Sequence, residues 1–452
     1  MNPYKPYPVY KDSGVEWLGK VPEDWEIKLL GQIGKFQKGN GATKADEAPA
    51  GVPCIRYGDL YTTHNFFIHH SRSFVACERL PEYTIIQYGD VLFAASGETH
   101  EEIGKSAVNL IQSEACCGGD IIIFRATLEV DPAFIGYAAD CRLSVAQKSL
   151  MGRGFTVIHI YADQLKKLYI VFPPLSEQIQ ISAFLNQETA RINALVSKKS
   201  RFIELLREKR QALLTQAVTR GLDPTAKMKD SGVEWLGEVP EHWEVRTLKY
   251  ITNFCGGGTP SRDNLGFWNG DIPWVSPKDM KVEAICETEE NITQAGLLNS
   301  AARLVPANQI LLVVRSGILK HTIPIAINVI QVALNQDMRA LFFNHNLCIG
   351  KFFLRWVQGF NNDLLQAWRK QGATVESIEQ DYLSDTIIPL PSIAEQQAIV
   401  AYLDREATRI DSLISKTQHS INLLKERRAA LITAAVTGQI DVRYNSPTNT
   451  PP

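Results

Sequence analysis

Long apolar runs are absent from this chain of 452 residues, and none approaches the roughly 18–20 residues that span a bilayer. The opening residues, MNPYKPYPVY, contain neither a basic nor an apolar segment, so we expect no secretory signal. The eight cysteines form no CxxC pair, which favours reduced thiols and a cytoplasmic protein. A formal net charge of −2 excludes a protein that coats nucleic acid by charge alone, but not a specific reader with local basic surfaces.

Nucleotide and methyl-transfer motifs are incomplete or missing. The segment GETHEEIGKS at 97–106 ends like a phosphate-binding loop, but Thr99 stands where that pattern requires glycine. The glycines of CGGGTP at 255–260 lack both the GxGxxG spacing and the following acidic residue of a dinucleotide-binding loop. No NPPY-like or DPPY-like segment of an adenine methyltransferase occurs. These absences argue against nucleotide hydrolysis and against methyl transfer by this chain.

Metal and nuclease centres are also not indicated. His69 and His70 are the only close histidine pair and have no ligand set around them. Glu98, Glu101 and Glu102 are more typical of a solvated loop than of a nuclease centre. We therefore predict a chain with no catalysis, no metal and no cofactor.

The chain is a tandem duplication with an offset of 218 residues. Residues 11–31 recur at 229–249 with 15 of 21 positions identical, and residues 177–219 recur at 395–437 with 22 of 43 identical. GFTV at 154–157 matches GATV at 372–375 at the same offset. Internal repeats of this kind indicate one structural unit used twice.

The segments between the matched blocks diverge strongly. We call residues 32–150 the first insert and residues 250–370 the second insert. They share only a faint skeleton, in which VLFAASG at 91–97 parallels ILLVVRSG at 310–317. Residues 120–125 and 310–314 read as strands and residues 352–368 as a helix, which predicts mixed α/β inserts. The inserts are the parts that were free to change.

Each half ends in a predicted helix of about 40 residues, because residues 176–219 contain no glycine or proline. Apolar residues at spacings of 7, 3 and 4 predict a heptad seam on each helix. The predicted seam consists of Leu185, Ile192, Leu195, Phe202, Leu206, Leu213, Leu403, Ile410, Leu413, Leu424 and Leu431. Ser420 replaces Phe202 in the second helix, where the neighbouring Ile421 matches Ile203.

The two helices are predicted to pair with each other as an intramolecular antiparallel coiled coil. A helix that returns after a domain naturally runs back along the first one, and a partner in the same chain has a high effective concentration. The alternative is a coiled coil between two chains. The helices are locally basic at 198–210 and 416–428, which suits a solvated flank, phosphate contact or partner docking.

Four motifs together resemble the specificity subunit of type I restriction–modification enzymes. They are SGVEWLG-x-VP-x-x-W, the helix start IPLPSIAEQ, the GATV segment, and GGGTPSRDN with the WNGDIPWVSPKDM that follows. The resemblance covers residues 11–441 and includes the two-fold repeat. It implies two target-recognition domains that each read half of a bipartite DNA sequence, separated by two helices that set the gap.

The expected fold class is α/β: two mixed α/β target-recognition domains joined by two long antiparallel coiled-coil helices, with an internal pseudo-two-fold repeat. The expected domains are 1–174 and 223–392 for recognition, 175–222 and 393–441 for the spacer helices, and 442–452 for a disordered tail. The resemblance implies a subunit without catalytic activity. Its implied partners are double-stranded DNA, two copies of a DNA adenine methyltransferase subunit, and restriction or translocase subunits, with no membrane.

Candidate DNA contacts are polar residues in loop-like stretches or beside the shared skeleton. Arg and Lys suit guanine and phosphate, whereas Asn and Gln suit adenine. The candidates of the first insert are Lys38, Asn40, Lys44, Arg56, Tyr57, Ser96, Thr99 and Lys105. Those of the second insert are Thr259, Ser261, Arg262, Lys278, Arg315, Ser316 and Lys320. Each alone is also compatible with an ordinary surface residue.

Two other interpretations remain open at this point. One is a single-chain methyltransferase or nuclease, and the other is a protein-interaction scaffold that reads no sequence. The repeated Trp17, Trp25, Trp235 and Trp243 are expected to pack the scaffold junctions, with stacking on DNA as the alternative.

Overall fold

The computed structural model describes residues 4–41, 46–370 and 375–443. It divides into two compact units, residues 1–200 with 419–452, and residues 201–418. Each unit combines one insert with part of both long helices. The expected disordered tail at 442–452 lies almost wholly outside the described residues, as does Lys44.

The first unit contains a five-stranded and a four-stranded sheet. The larger sheet has the order Gly34–Lys38, Ile121–Ala126, Val91–Ala94, Ser106–Asn109 and Phe66–Ile68. The smaller sheet has the order Ser73–Val75, Val52–Ile55, Ala115–Cys117 and Thr84–Ile86. Two-stranded ribbons pair Tyr10–Asp12 with Lys20–Pro22, Glu26–Leu29 with Tyr169–Phe172, and Ser96–Gly97 with Ile158–His159. In each of the two larger sheets one pair is parallel and the rest are antiparallel.

The second unit repeats this arrangement. Its five-stranded sheet has the order Thr252–Gly256, Met338–Phe343, Ile310–Val313, Ile325–Asn328 and Ala284–Ile285. Its four-stranded sheet has the order Glu290–Ile292, Trp268–Val275, Val332–Leu334 and Leu304–Val305. Ribbons pair Met228–Asp230 with Glu238–Pro240, and Glu244–Thr247 with Ile387–Leu390. The parallel pairs again involve the equivalent strands.

The two inserts therefore share one topology although their sequences have little in common. The strands predicted at 120–125 and 310–314 are confirmed, and both are buried. Burial explains the divergence, because a strand covered on both faces accepts many apolar residues of suitable volume.

Helices cover the sheets in both units. The first unit has Pro132–Asp140 and Arg142–Met151, with shorter helices at Leu30–Ile33, Tyr57–Thr62, Cys77–Glu82 and Ala162–Leu165. The second has Gly350–Gly359 and Asn361–Trp368, with single turns at Leu248–Tyr250, Leu265–Phe267, Gln294–Leu298, Gly317–Lys320 and Gln380–Ser384. The single helix predicted at 352–368 is thus two helices, because Phe360 leaves helical geometry with φ −117° and ψ 25°.

The long helices extend over Leu175–Arg220 and Ile393–Val436. Proline precedes the first helix, and Glu177 lies in its first turn. The carboxylate of Glu177 there interacts favourably with the positive end of the helix dipole. The first helix has 46 residues, which corresponds to a length of about 69 Å. Gly221 follows it at φ +71°, a left-handed conformation that suits glycine at a helix end.

Within each unit the two long helices run antiparallel. In the second unit Arg210 Nη1 lies 3.4 Å from Asp411 Oδ1, whereas Gly221 lies next to Glu395, near the start of the other helix. In the first unit Arg428 donates a hydrogen bond to Asn193, and Glu177 lies 4.0 Å from Arg443. The coiled coil is therefore intramolecular.

The seam differs from the expected one at three positions. Leu195, Phe202 and Leu413 are 40%, 45% and 38% exposed, whereas the residue that follows each of them is buried or half-buried. The other expected seam residues are buried or half-buried: Leu185, Ile192, Leu206, Leu213, Leu403, Ile410, Leu424 and Leu431. One residue corresponds to about 100° of helix rotation, so a step of three in place of four turns a side chain out of the seam.

On each helix, a series of buried or half-buried positions advances by alternating steps of four and three. On the first helix they are Ile192, Val196, Lys199, Ile203, Leu206, Arg210, Leu213 and Ala217. On the second helix they are Ile410, Ile414, Thr417, Ile421, Leu424, Arg428, Leu431 and Ala435. Polar residues interrupt the apolar pattern at equivalent places, which hid the true phase of the heptad.

Repeated tryptophans join each insert scaffold to a long helix. Trp25 Nε1 donates to Glu177 Oε2 at 3.0 Å, and Trp243 Nε1 donates to Glu395 Oε1 at 3.0 Å. Both rings are buried, as expected for residues that pack a scaffold junction. Trp17, by contrast, is 47% exposed and contacts Tyr169 by its edge.

Candidate nucleic-acid interface

In the first unit, the turn at residues 118–120 brings together the separate segments that carry the candidate contacts. Four backbone hydrogen bonds link this turn, and Ile121 after it, to three segments. The bonds are Gly118 to Ile55 at 2.9 Å, Gly119 to Gly41 at 2.9 Å, Ala95 to Asp120 at 2.9 Å, and Gly39 to Ile121 at 2.8 Å. Residues 38–41, 56–57 and 96–105 therefore emerge at one edge of the unit.

An equivalent turn at residues 335–337 organises the second unit. Its backbone, with that of Leu334 before it, links three segments. They are the residues after strand Thr252–Gly256, the residue before Ser276, and the residues after strand Ile310–Val313. The bonds are Gly258 to Leu334 at 2.8 Å, Asn335 to Val275 at 2.9 Å, and Val314 to Asp337 at 2.8 Å. We call these two edges the reading edges.

Glycines at the reading edges serve close backbone packing. A Cβ at Gly39 would lie 2.1 Å from the carbonyl oxygen of Gly118, and a Cβ at Gly257 would lie 2.2 Å from that of Leu334. The GGG run at 256–258 is thus explained by the approach of two chain segments, independently of any cofactor.

A loop that the candidate residues did not include completes each edge. In the first unit it covers residues 152–159, and its end pairs with Ser96–Gly97. In the second unit the Ser316 N–H bonds to the Glu376 carbonyl at 3.0 Å, and the Ile378 N–H bonds to that of Val314 at 2.8 Å. The only sequence signal for this loop was the repeated GFTV and GATV. Residues 371–374 of the second copy lie outside the described residues.

The loop at 152–159 carries groups suited to nucleic acid. Phe155 is fully exposed at its tip, and Arg153 is exposed beside it. His159 Nδ1 lies 3.1 Å from Ser96 Oγ, and its ring stacks on that of Tyr161 at 6.4 Å. Exposed aromatic rings and cations of this kind are what single bases and phosphates bind.

A buried charge network holds the base of the loop at 97–105. Lys148 Nζ donates to Asp140 Oδ1 at 2.8 Å and to the carbonyl oxygens of Gly104 and Ala139 at 2.7 and 3.0 Å. Lys105 Nζ donates to the other Asp140 oxygen at 2.6 Å. Burial lowers the pKa of Lys148, although the charge of Asp140 opposes this effect. The amine of Lys105, a candidate DNA contact, is thus already bonded to a buried carboxylate.

The remaining candidates of the first unit differ in how free they are. Arg56 bonds to Glu47 through Nη1 at 3.1 Å, and its buried Nε and Nη2 have no hydrogen-bond partner among the residues that the structure describes. Asn40 Nδ2 lies 3.4 Å from the Glu82 carbonyl oxygen. The candidates that remain exposed to solvent are Lys38, Asn40, Tyr57 and Thr99. Ser96 is half-buried against His159.

Arg262 and Thr259, in the second unit, are engaged with neighbouring side chains. The Arg262 guanidinium stacks 3.8 Å from the ring centre of Trp268 and forms an ion pair with Glu290. The Arg262 hydrogen bond holds the pKa of Glu290 below its ordinary value. Thr259 is hydrogen-bonded to Gln336, a residue of the central turn that the sequence analysis did not select.

Arg315 and Lys320 are two candidate cations of the second reading edge. Both are exposed, and neither forms an ion pair within the part of the chain that the structure describes. Lys278 is also exposed, and Ser316 Oγ caps the turn that ends at Lys320 by accepting from Ile318. Ser261 is exposed, and its carbonyl oxygen accepts from Trp268 Nε1 at 3.0 Å.

The charges of the two reading edges differ. In the first unit, the loop at 97–105 exposes Glu98, Glu101 and Glu102. In the second unit, the segment that follows Ser316 exposes Lys320 and His321 instead. Among the described residues, no cluster of three His, Cys, Asp or Glu side chains is placed to hold a metal ion. Over the same ranges, no helix combines the length and apolar character that crossing a membrane requires.

Two equivalent reading edges on one repeated scaffold define a class of protein with paired recognition domains. The family model described as type I restriction modification DNA specificity domain matches the chain twice, at residues 22–205 and 240–423. The chain belongs to this family. Its role is sequence-specific DNA recognition, as a subunit that is not catalytic.

Individual relatives agree with this assignment. The EcoR124I/EcoR124II specificity subunit of Escherichia coli is 37% identical over 206 residues, which are 45% of this chain and 48% of that protein. The alignment thus spans about half of that relative. The putative MjaX specificity subunit of Methanocaldococcus jannaschii is 24% identical over 439 residues, which are 94% of this chain and 96% of that protein.

Solved structures share the fold. One chain from a structure of a type I restriction–modification system has a TM-score of 0.73 at 17% identity and covers 93% of this chain and 99% of its own. The HsdS subunit of Thermoanaerobacter tengcongensis has a TM-score of 0.56 at 18% identity, with 93% and 98% covered.

Proposed function

We propose that this chain reads a bipartite double-stranded DNA target, with one half-site for each unit. The observation that carries this proposal is that identical sheet topologies present different loops at equivalent reading edges. A shared scaffold keeps the edge in place, while loop side chains decide which base edges are bonded. Recognition is assigned to residues 1–174 and 223–392.

The two half-sites should differ in chemistry. Arg315 and Lys320 suit the acceptors O6 and N7 of guanine, whereas the glutamates at 98, 101 and 102 suit donors such as the N4 amine of cytosine. The near-neutral charge of the chain implies weak DNA binding in isolation. Partner subunits that close around the duplex would supply the remaining affinity.

The spacer helices, residues 175–222 and 393–441, are proposed to set the gap between the half-sites. Two readers on one duplex must be held in register with a helical repeat of roughly 34 Å. Adding four residues to each long helix lengthens it by about 6 Å, which corresponds to one or two base pairs. An unchanged gap after that insertion would refute the proposal that the helices act as a ruler.

Two copies of a DNA adenine methyltransferase subunit, with restriction or translocase subunits, are the proposed partners in the cytoplasm. The repeat supports two copies, because it presents similar surfaces twice. The turn sequence DSGVEWLG, for example, occurs identically at 12–19 and 230–237, and it exposes Glu16 and Glu234.

Co-expression with the neighbouring methyltransferase gene in a bacterium without adenine methylation tests the function directly. Genome-wide mapping should find one motif of two short half-sites with a fixed gap. Arg315→Ala should weaken modification and change one half-site only, whereas Arg246→Ala, which removes a surface partner of Glu244, should not. A stable complex that modifies no bipartite motif would overturn the proposal.

A further inference from the structure

The two units attach an insert helix to a long helix at equivalent positions, but with different chemistry. In the first unit Tyr137 donates to Asn186 Oδ1 at 2.9 Å. In the second unit Arg355 Nε and Nη2 donate to Asp404 Oδ1 at 3.1 and 2.5 Å. Tyr137 and Arg355 differ by 218 residues, and so do Asn186 and Asp404, which is the offset of the repeat.

One hydrogen bond between the insert and the long helix is equivalent in the two units. The Asp131 N–H bonds to Gln178 Oε1 at 3.0 Å, and the Ile349 N–H bonds to Gln396 Oε1 at 2.8 Å. These bonds set the start of each insert helix against the start of its long helix. The insert helix and the long helix are thus joined at an equivalent point in both units, whereas the pairs differ in side-chain chemistry.

Each pair is matched to its own surroundings. Tyr137 is 1% exposed and also bonds to Thr189 Oγ1 at 3.1 Å, where the second long helix has Ala407. Arg355 is 8% exposed, and a second carboxylate, Glu283, lies 2.6 Å from its Nη1. A phenol needs only neutral partners, whereas an enclosed guanidinium needs carboxylates.

The mismatch on exchange is therefore asymmetric. Arg355 placed against Asn186 would lose one of its two carboxylates at a largely enclosed site, which is costly. Tyr137 placed against Asp404 would still donate a hydrogen bond to an oxygen. Packing the second insert on the first long helix should thus cost more stability than packing the first insert on the second long helix.

We infer that Tyr137–Asn186 and Arg355–Asp404 are positioning pairs. Each pair makes its recognition domain fit its own spacer helix better than the other spacer helix. A correct pair holds the reading edge at one orientation to the helix, and a wrong pair leaves that orientation loose. The inference rests on the proposed function for its effect on DNA, but not for its effect on docking.

The test places the second insert, residues 250–370, in place of the first insert, residues 32–150. This chimera should lose at least about tenfold in modified sites with the methyltransferase, accept gaps of neighbouring lengths, and melt at a lower temperature. Asn186→Asp should restore all three properties in the chimera, and the matched control Asn186→Ala should not. The reciprocal chimera should need no such repair.

Variants of the native chain provide a second test, in case the chimera does not fold. Asp404→Asn should broaden gap tolerance, Asp404→Glu should preserve a single gap, and Asn186→Asp should be neutral. Equal behaviour of Asp404→Asn and Asp404→Glu would overturn the inference, and so would equal behaviour of Asn186→Asp and Asn186→Ala in a folded chimera. A native chain that modifies no bipartite motif would refute the proposed function instead. The melting temperatures of the same variants would still show whether each pair matches its insert to its long helix.

Discussion

Replacing Lys148 by methionine tests whether a buried charge network supports the first reading edge. The side chain of Lys148 is 0% exposed and that of Asp140 is 1% exposed. Breaking a buried pair by removing one partner typically costs about 3–5 kcal/mol. Here Lys105 and Ser106 would still bond to Asp140, and methionine would refill most of the volume. The carbonyl oxygens of Gly104 and Ala139 would lose a donor, so we expect a loss of about 2–4 kcal/mol.

Urea denaturation, followed by hydrogen exchange of the first unit, measures this loss separately from unfolding of the second unit. Lys105→Met is the matched control, because Lys105 is 25% exposed and its loss leaves the pair of Lys148 and Asp140 in place. A change below about 1 kcal/mol for Lys148→Met would refute the assigned role of the network. In the methylation assay the variant should relax the first half-site and leave the second unchanged.

Two further predictions concern the coiled coil and the second unit. Ile203→Ala should destabilise the chain by about 2–4 kcal/mol in urea denaturation, because its side chain is only 6% exposed. Phe202→Ala should have little effect, because Phe202 is 45% exposed. A larger loss for Phe202→Ala than for Ile203→Ala would support the seam expected from the sequence. Although burial raises the pKa of Glu283, hydrogen bonds from Arg355 and Gln358 hold it below its ordinary value. Its contribution to stability should be present above pH about 4.5 and lost as pH falls through the native pKa, and Glu283→Gln should flatten that part of the acid-unfolding curve.

Individual residues show where reasoning from the sequence succeeded and where it failed. The long helices were predictable, because forty residues without glycine or proline leave few alternatives to a helix. The phase of their seam was not, because Lys199, Arg210 and Arg428 occupy half-buried positions that a search for apolar residues passes over. Lys105 and Arg262 were selected by residue type, and the structure shows their charges engaged by Asp140 and Glu290.

The sequence by itself determined the duplication, the scaffold and the family, because repeats and motifs are properties of residue order. Tertiary structure decided that two dissimilar inserts share one topology, since buried strands tolerate many apolar sequences. It also decided which cations are accessible at a reading edge, and which pairs attach an insert to its helix. Those outcomes depend on distances between residues far apart in the chain, such as Tyr137 and Asn186 or Arg355 and Asp404. The order of residues alone does not contain such distances.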